Sequence, residues 1–441
     1  MQTRSLRVGQ RILRRSRHVW LSRSLWNRRL IFLVGAIAVG TVAVLFALGA
    51  TLANAAVHDL LDAWPWAAFV IAPAGFATIG WLGRRFFAGA EGSGIPQTIA
   101  ALAYRDVAFR DHLLSIRIAI GKVLMTLGGL LCGASIGREG PTVQVGAALM
   151  YALSRYTAFP HETMRRGLIL AGGAAGVAAA FNAPLAGVVF AIEEMSRSFS
   201  QRTSGIVITA VVCAGIVSLA LLGDYAYFGH TRATLDLRTG WPAVVACGAL
   251  GGLLGGLFAR LLIGSAAHLP GRIGALRKDH PYLFAALCGL AVAALGAFSN
   301  NTVLGTGYAE TRAILGGTGA IPQSFGILKL LATVVSYASG IPGGIFAPSL
   351  AVGAGLGYNL SAVIPLAPPA AVVILGMVGY FSGAVQAPIT AFVIVLEMTR
   401  DSDMALPLMA VSLVAYGVSR LVCPRPLYKT LAKAFRPVAP A

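Results

Sequence analysis

The chain has 441 residues, of which 57% are hydrophobic and only 12% are charged, and its mean hydropathy is +0.76. This composition excludes a water-soluble globular protein and indicates a polytopic membrane protein. The formal net charge is +19, and nine of the arginines precede the first apolar segment. This basic arm, residues 1–29, is typical of a cytoplasmic anchor on anionic lipid rather than of a nucleic-acid-binding segment or a cleaved signal peptide.

Five cysteines and seven histidines are scattered along the chain without the paired spacings of a disulfide framework or a metal centre. The cysteines are therefore interpreted as small hydrophobic residues inside the helices. We expect no metal site and no cofactor.

The apolar segments predict an all-α membrane protein whose helices fall into two halves. In the first half these segments cover residues 30–55, 64–81, 113–133, 139–156, 167–181 and 206–222, with a polar loop at 160–166. In the second half they cover residues 241–263, 281–298, 327–338, 369–381, 387–396 and 406–422. The polar segment 225–240 separates the halves. We assign residues 30–224 to a first transmembrane repeat, 241–425 to a second, and 426–441 to a short C-terminal helix and tail.

The first interrupted element is Gly92-Ser93-Gly94-Ile95-Pro96, which is followed by an apolar run to Tyr104 that is too short to span a bilayer. Short hydrophobic segments broken by glycine and proline indicate binding sites in transporters. From the turn alone, Ser93 is either a helix cap or a ligand-binding hydroxyl.

The second interrupted element, Gly137-Arg138-Glu139-Gly140-Pro141, places a charged pair in an apolar background. A charge at membrane depth is energetically costly and indicates a functional site. Pro141 fits the first turn of a helix that begins near Glu139. The free N–H groups of such a helix end favour an anion, so Glu139 carries its carboxylate to an anion-binding position.

The second half of the chain repeats these features in the same order. Gly92-Ser-Gly matches Gly305-Thr-Gly, and Lys122 matches Lys329. The break at 137–141 matches the break at 343–348, and the segment 182–193 matches 386–397. Broken helices at corresponding positions of two halves predict two structural repeats with a site at their interface, near the membrane midplane.

In this order, the motifs Gly-Ser-Gly-Ile-Pro at 92–96, Gly-Arg-Glu-Gly-Pro at 137–141, Gly-Gly-Ile-Phe-Ala-Pro at 343–348 and Pro-Leu-Tyr at 426–428 resemble the CLC family of chloride channels and proton-coupled chloride transporters. The resemblance runs from about residue 89 to Tyr428. It implies two inverted-topology repeats with broken and re-entrant helices, a homodimer with one anion pathway per subunit, and a bacterial inner-membrane location with both termini in the cytoplasm.

The resemblance also implies roles for individual residues. The hydroxyls of Ser93 and Tyr428 and the backbone amides of Ile345 and Phe346 resemble the groups that bind chloride in the family. Glu139 resembles the external gating glutamate, and Glu194 resembles the internal proton-transfer glutamate. Supporting positions are Gly94, Arg138, Gly140, Pro141 and Lys122.

The residues themselves support chloride binding and proton coupling, even without the family resemblance. Hydroxyl groups and helix N-terminal amides offer partial positive charges, which bind chloride while still allowing its release. An ionised Glu139 competes with chloride for that position, and a protonated Glu139 leaves it. Chloride access and proton uptake are then linked, which predicts a secondary transporter that exchanges chloride for protons rather than an enzyme.

Three alternatives follow from the same residues. A passive chloride channel of the same fold is disfavoured by Glu194, because channels of the family generally lack an acidic residue there. An intramembrane hydrolase with Ser93 as nucleophile needs a general base, and no histidine lies in a suitable segment. The third alternative is a DNA-tethering protein that uses the basic arm, whereas we expect chloride, protons and lipid as the partners and no nucleic acid. Since the chain continues only to Ala441 after Tyr428, we also expect no paired cytoplasmic regulatory (CBS) domains.

Overall fold

The computed structural model describes residues 23–155, 162–196, 201–223, 227–229, 231, 233–236, 238–267, 269–319, 321–365 and 367–436. Most of the basic arm, residues 1–22, lies outside the described residues, as do parts of the segments 160–166 and 225–240. The described residues form helices joined by short connections, and their only β-type pairing is an isolated bridge between Gly137 and Gly344.

The helices of the first half are α1 (Arg23–Ala63), α2 (Ala68–Phe86), α3 (Ile95–Ala103), α4 (Val107–Leu113), α5 (Ile116–Leu131), α6 (Glu139–Leu153), α7 (Glu162–Phe181), α8 (Pro184–Phe190) and α9 (Gln201–Leu222). A π-helical turn, Ala191–Ser196, continues α8.

The helices of the second half are α10 (Trp241–Ala267), α11 (Gly271–Asp279), α12 (Pro281–Phe298), α13 (Tyr308–Gly316), α14 (Phe325–Ala338), α15 (Phe346–Ser361), α16 (Pro369–Val385), α17 (Pro388–Thr399), α18 (Ala405–Val422) and α19 (Leu427–Ala432). The element order from α3 to α9 recurs from α13 to α18, apart from the single helix α14 in place of α4 and α5, as the repeated motifs predict.

Two kinds of helix build the bundle. Within the described residues, seven helical segments are long and apolar enough to cross a membrane, judged by length and composition. These segments expose aliphatic side chains, such as Leu52 on α1 and Ile216 on α9, to the outside of the bundle. In contrast, α6 and α16 are buried along nearly their whole length. The long helices therefore surround a core of shorter ones that carry the broken segments.

Small residues allow the inner helices to pack closely. Gly146 on α6 lies against the Gly172 carbonyl on α7, where an added Cβ would overlap it. In the second half, an added Cβ on Gly353 of α15 would lie 2.6 Å from the carbonyl oxygen of Gly376 on α16. Close backbone approach at small residues is a main source of helix association in lipid. The same contact therefore recurs in both halves.

The start of α7 differs from the sequence-based prediction. The polar residues 160–166 predict a loop, but α7 already begins at Glu162. The Glu162 carboxylate accepts two hydrogen bonds, of 3.0 and 2.5 Å, from the buried guanidinium of Arg110. Arg110 also donates to the Ala101 carbonyl at the end of α3. The Glu162 carboxylate thus stabilises the helix start twice, through this bidentate ion pair and through its place in the first turn near the positive end of the helix dipole.

Candidate functional site

Three broken segments meet at one point inside the bundle. Gly137 and Gly344 exchange two backbone hydrogen bonds of 2.7 Å each, and the Gly343 N–H donates to the Gly92 carbonyl at 3.1 Å. An added Cβ on Gly344 would lie 2.9 Å from the Gly140 nitrogen. The backbone of both halves is therefore in direct contact at the segments that the repeated motifs mark.

Each of these segments leads into a helix N-terminus. α3 begins after Gly94, whose φ of +96° suits glycine, α6 begins at Glu139, and α15 begins at Phe346. The predicted helix start at Glu139 is confirmed. The first N–H groups of a helix have no intrahelical acceptor and carry partial positive charge. The N–H of Phe346 is one of these groups. Three positive helix ends thus lie around the junction of the two halves.

The hydroxyls of Ser93 and Tyr428 are buried near this junction. Both side chains are almost fully buried, and neither oxygen forms a hydrogen bond of regular geometry with another described group. The two hydroxyls are nevertheless close enough to interact with each other. The Tyr428 ring packs against Phe346, with 6.0 Å between ring centroids. Because a buried hydroxyl whose hydrogen-bonding capacity is not fully met is destabilising, this pair is suited to donate to a ligand.

The Glu139 carboxylate lies between α6 and α15. It is fully buried, and the backbone amides of Arg138, Glu139 itself and Ala347 interact favourably with it, although neither oxygen makes a hydrogen bond of regular geometry. Arg138 attracts the carboxylate electrostatically. The guanidinium also donates to the Ala47 carbonyl and lies over the Tyr227 ring at 5.9 Å. A carboxylate thus lies among helix-end amides, a location that suits a bound anion.

Lys122 supports the loop that carries Ser93. Its ammonium group is fully buried and donates to the carbonyls of Ala90, Glu91 and Gly92 at 2.7, 3.3 and 2.8 Å. Lys329 makes the equivalent contacts in the second half, with the carbonyls of residues 303–305 at 2.8, 3.4 and 2.8 Å. The sequence marks Lys122 as a supporting position, and the structure shows that both lysines support the backbone directly.

The adjacent glutamates in the π-helical turn face different surroundings. Glu194 is 3% exposed and lies within electrostatic range of the Tyr428 hydroxyl. Glu193 is half-buried, and its carboxylate accepts hydrogen bonds from the first turn of α17. Of the two side chains, only Glu194 is therefore directed towards the junction that holds Tyr428.

A cavity of about 760 Å³ opens beside Arg138. Polar side chains on its wall include Asn54, His58, Thr306 and Glu310. Arg138, which lines this cavity, also interacts with the Glu139 carboxylate, so the cavity borders the side chain next to the buried carboxylate. Sequence reasoning missed the cavity because its wall combines α1 with the start of α13.

Among the described residues, no group of three or more His, Cys, Asp and Glu side chains is placed to hold a metal ion. The five cysteines are free thiols.

Residues 74–420 match the family model described as voltage gated chloride channel. The chain is 32% identical over 384 residues to the H(+)/Cl(-) exchange transporter ClcA of Vibrio vulnificus, an alignment that covers 83% of this chain and 79% of that protein. It is 34% identical over 383 residues to ClcA of Vibrio cholerae, with the same coverage. The solved structure of a slow cyanobacterial Cl−/H+ antiporter superposes with a TM-score of 0.77 and 27% identity, covering 92% of this chain and 97% of that one. The predicted fold class is confirmed.

Proposed function

The chain belongs to the voltage-gated chloride channel family, and from this premise we propose that it exchanges chloride for protons across the membrane. The relatives aligned over most of their length are exchange transporters. The observation that carries the proposal is the Glu139 carboxylate, buried among the amides of α6 and α15.

Chloride binds through partial charges rather than through a full positive charge. The Ser93 and Tyr428 hydroxyls donate to it, and the amides of Ile345 and Phe346 complete the site. Lys122 keeps its ammonium on backbone carbonyls, so it holds the Ser93 loop without binding the ion directly. Such a site binds chloride well enough for occupancy and weakly enough for release.

Glu139 couples the two ions by competition. The ionised carboxylate occupies the amides that would otherwise receive chloride. Protonation removes its charge and so its attraction to the helix ends, and chloride then takes the position. Chloride occupancy is therefore linked to protonation of Glu139, and this link is the basis of the proposed exchange.

Gly140→Ala should weaken chloride binding by about 5- to 150-fold, the effect of about 1–3 kcal/mol of overpacking. An added Cβ would lie 2.6 Å from Ser93 Oγ and 2.7 Å from the Ser93 carbonyl oxygen, so the hydroxyl must move. Titration calorimetry of the purified variant with chloride measures the change. Gly264→Ala is the control, because its added Cβ meets nothing within 4 Å. Wild-type affinity in Gly140→Ala would contradict the assignment of Ser93.

Glu194 serves as the internal proton acceptor. It is buried and lies within electrostatic range of the Tyr428 hydroxyl. It also belongs to a π-helical turn, a feature common at functional sites. A passive channel needs no such residue. The exchange transporters among the relatives also favour exchange over the channel alternative.

Proton and chloride movement recorded together test the proposed function. Purified protein is reconstituted in liposomes loaded with high chloride, at equal pH on both sides, and valinomycin with potassium compensates the charge. An exchanger takes protons inward as chloride leaves, so the bath becomes alkaline until an uncoupler dissipates the pH difference. Chloride release without uphill proton movement would instead identify a passive channel.

The bacterial relatives and the membrane-length helices support a multi-pass protein of the inner membrane. We place the N-terminus in the cytoplasm, because the arginine-rich arm follows the positive-inside rule. The cytoplasmic C-terminus is what the family resemblance implies. The arm then lies on anionic lipid.

The face that carries Leu185 and Ile389 is the proposed homodimer interface. Both residues are exposed, at 65% and 49%, in the first turns of α8 and α17. These helices have only 7 and 12 residues, too few to span a bilayer, and the backbone just before them is already buried within the subunit at Ala183 and Ala387. What remains exposed is the aliphatic side chains of their first turns. We assign the cover of these side chains to a second copy of the chain, the homodimer that the family resemblance implies.

The double variant Leu185→Trp, Ile389→Trp should be monomeric in detergent, because two bulky rings disrupt a close-packed interface. Chromatography with light scattering measures the mass, and chloride flux should persist because each subunit has its own pathway. Leu52→Trp, on the exposed face of α1, is the control that should leave the dimer intact. A double variant that remains dimeric would place the interface elsewhere.

A further inference from the structure

Glu193, in the first half, caps a helix of the second half. Its Oε1 accepts a hydrogen bond from the Ile389 N–H at 3.1 Å. Its Oε2 accepts from the Thr390 N–H at 2.6 Å and from Thr390 Oγ1 at 2.7 Å. A carboxylate on the free N–H groups of a helix start makes charge-assisted hydrogen bonds and also meets the positive end of the helix dipole.

Glu397, in the second half, returns the same contact to the first half. Its Oε1 accepts from the Leu185 N–H at 3.0 Å, and its Oε2 accepts from the Ala186 N–H at 2.6 Å. α8 and α17 are thus held together by two reciprocal caps. The offset of 204 residues between Glu193 and Glu397 is the offset that relates Asn182 to Gln386. The caps are therefore equivalent positions of the internal repeat.

The two caps differ in what lies next to them. Glu397 belongs to a regular α-helix and is followed by Met398. Glu193 belongs to the π-helical turn and is followed by the buried Glu194. Only the cap in the first half therefore adjoins an ionisable side chain that is directed towards the ion pathway.

We propose that Glu193 is a positioning residue that holds Glu194 in the direction required for proton transfer. Glu397, in contrast, only holds α17 and α8 together. The inference rests on the proposed exchange of chloride for protons. Consecutive side chains on a helix point in different directions that the backbone fixes, so holding the Glu193 carboxylate on α17 also fixes the direction of Glu194. A π-helical turn carries one residue more than an α-turn, and the cap holds that turn in register.

Glu193→Gln and Glu397→Gln form a matched pair for the test. Each keeps one acceptor oxygen and loses the charge, so both should lower the unfolding temperature to a similar extent. Glu193→Gln should also lower the rate of uphill proton movement per chloride by about fivefold or more, the effect of losing roughly one hydrogen bond. Glu397→Gln should retain the wild-type ratio. Thr390→Val, which removes one donor to Glu193 without altering a glutamate, should lower the ratio to a smaller extent.

The readout is the ratio of proton to chloride rates in liposomes, which a merely structural role would not change. Equal ratios in Glu193→Gln, Thr390→Val and the wild type would overturn the inference, as would an equal loss in Glu193→Gln and Glu397→Gln. If Glu193→Gln cannot be purified, the ratio in Thr390→Val tests the inference alone: a lower ratio than in the wild type supports it, and the wild-type ratio overturns it. A wild-type protein that moves no protons uphill would overturn the proposed function and this inference together. An active wild type with an unchanged Glu193→Gln ratio would overturn the inference alone.

Discussion

Glu139→Ala is expected to conduct chloride while moving no protons. The substitution removes the carboxylate that lies among the amides of Arg138, Glu139 and Ala347, so no side chain competes with chloride for that position. No ionisable group then alternates with the ion, and the thermodynamic link between the two is lost. The expected proton signal equals that of protein-free liposomes. Chloride release should still be faster than from protein-free liposomes.

The pH and chloride electrodes used for the wild type measure this result. Glu139→Gln is the matched control, because it imitates the protonated side chain and should also be uncoupled. Uphill proton movement in either variant would show that another group carries the proton, and the gate assignment would then be wrong.

Glu194→Ala is expected to abolish proton movement while sparing chloride. The carboxyl group is buried and lies within electrostatic range of Tyr428, so its removal breaks the proton route on one side of the chloride site. Chloride meets the Ser93 hydroxyl and the helix-end amides as before. The expected chloride rate is similar to that of the wild type, with no uphill proton signal.

Glu194→Asp separates loss of the ionisable group from disturbance of the helix. It keeps a carboxyl group at the position and should retain part of the proton movement. Full coupling in Glu194→Ala would move the internal acceptor to another residue.

Local sequence signals were sufficient to predict the helix start at Glu139. Gly137, Gly140 and Pro141 predict a helix break followed by a helix start, and α6 begins at Glu139 as expected. The prediction works because a helix start depends on residues within one turn of it. The roles assigned to Ser93 and Tyr428 remain predictions, and the structure shows of them that both hydroxyls are buried.

Contacts between distant segments could not be predicted in the same way. Lys122 appears in the sequence as a charge within an apolar helix, and nothing near it indicates the carbonyls of residues 90–92 as its partners. The repeat offered one indirect signal, because Lys329 occupies the equivalent position. A lysine kept in both halves at membrane depth points to a shared structural task.

The reciprocal caps of Glu193 and Glu397 were also missed, although the repeat aligns the two residues. Each looks like a polar residue at a helix end. Glu193 accepts from the Ile389 N–H, 196 residues away, and Glu397 accepts from the Leu185 N–H, 212 residues away. No local sequence pattern specifies such distant partners. The helix start at Glu162 has the same origin, because its ion pair with Arg110 forms across 52 residues.

Proton uptake during chloride binding tests most directly whether the Glu139 carboxylate and chloride share one position. Chloride is added to the purified protein in weakly buffered detergent solution while the pH is recorded. Competition predicts that chloride displaces the carboxylate, which then binds a proton, so the pH rises as the site fills. Glu139→Gln should bind chloride with no pH change. Chloride binding to the wild type without proton uptake would contradict the shared position and the exchange derived from it.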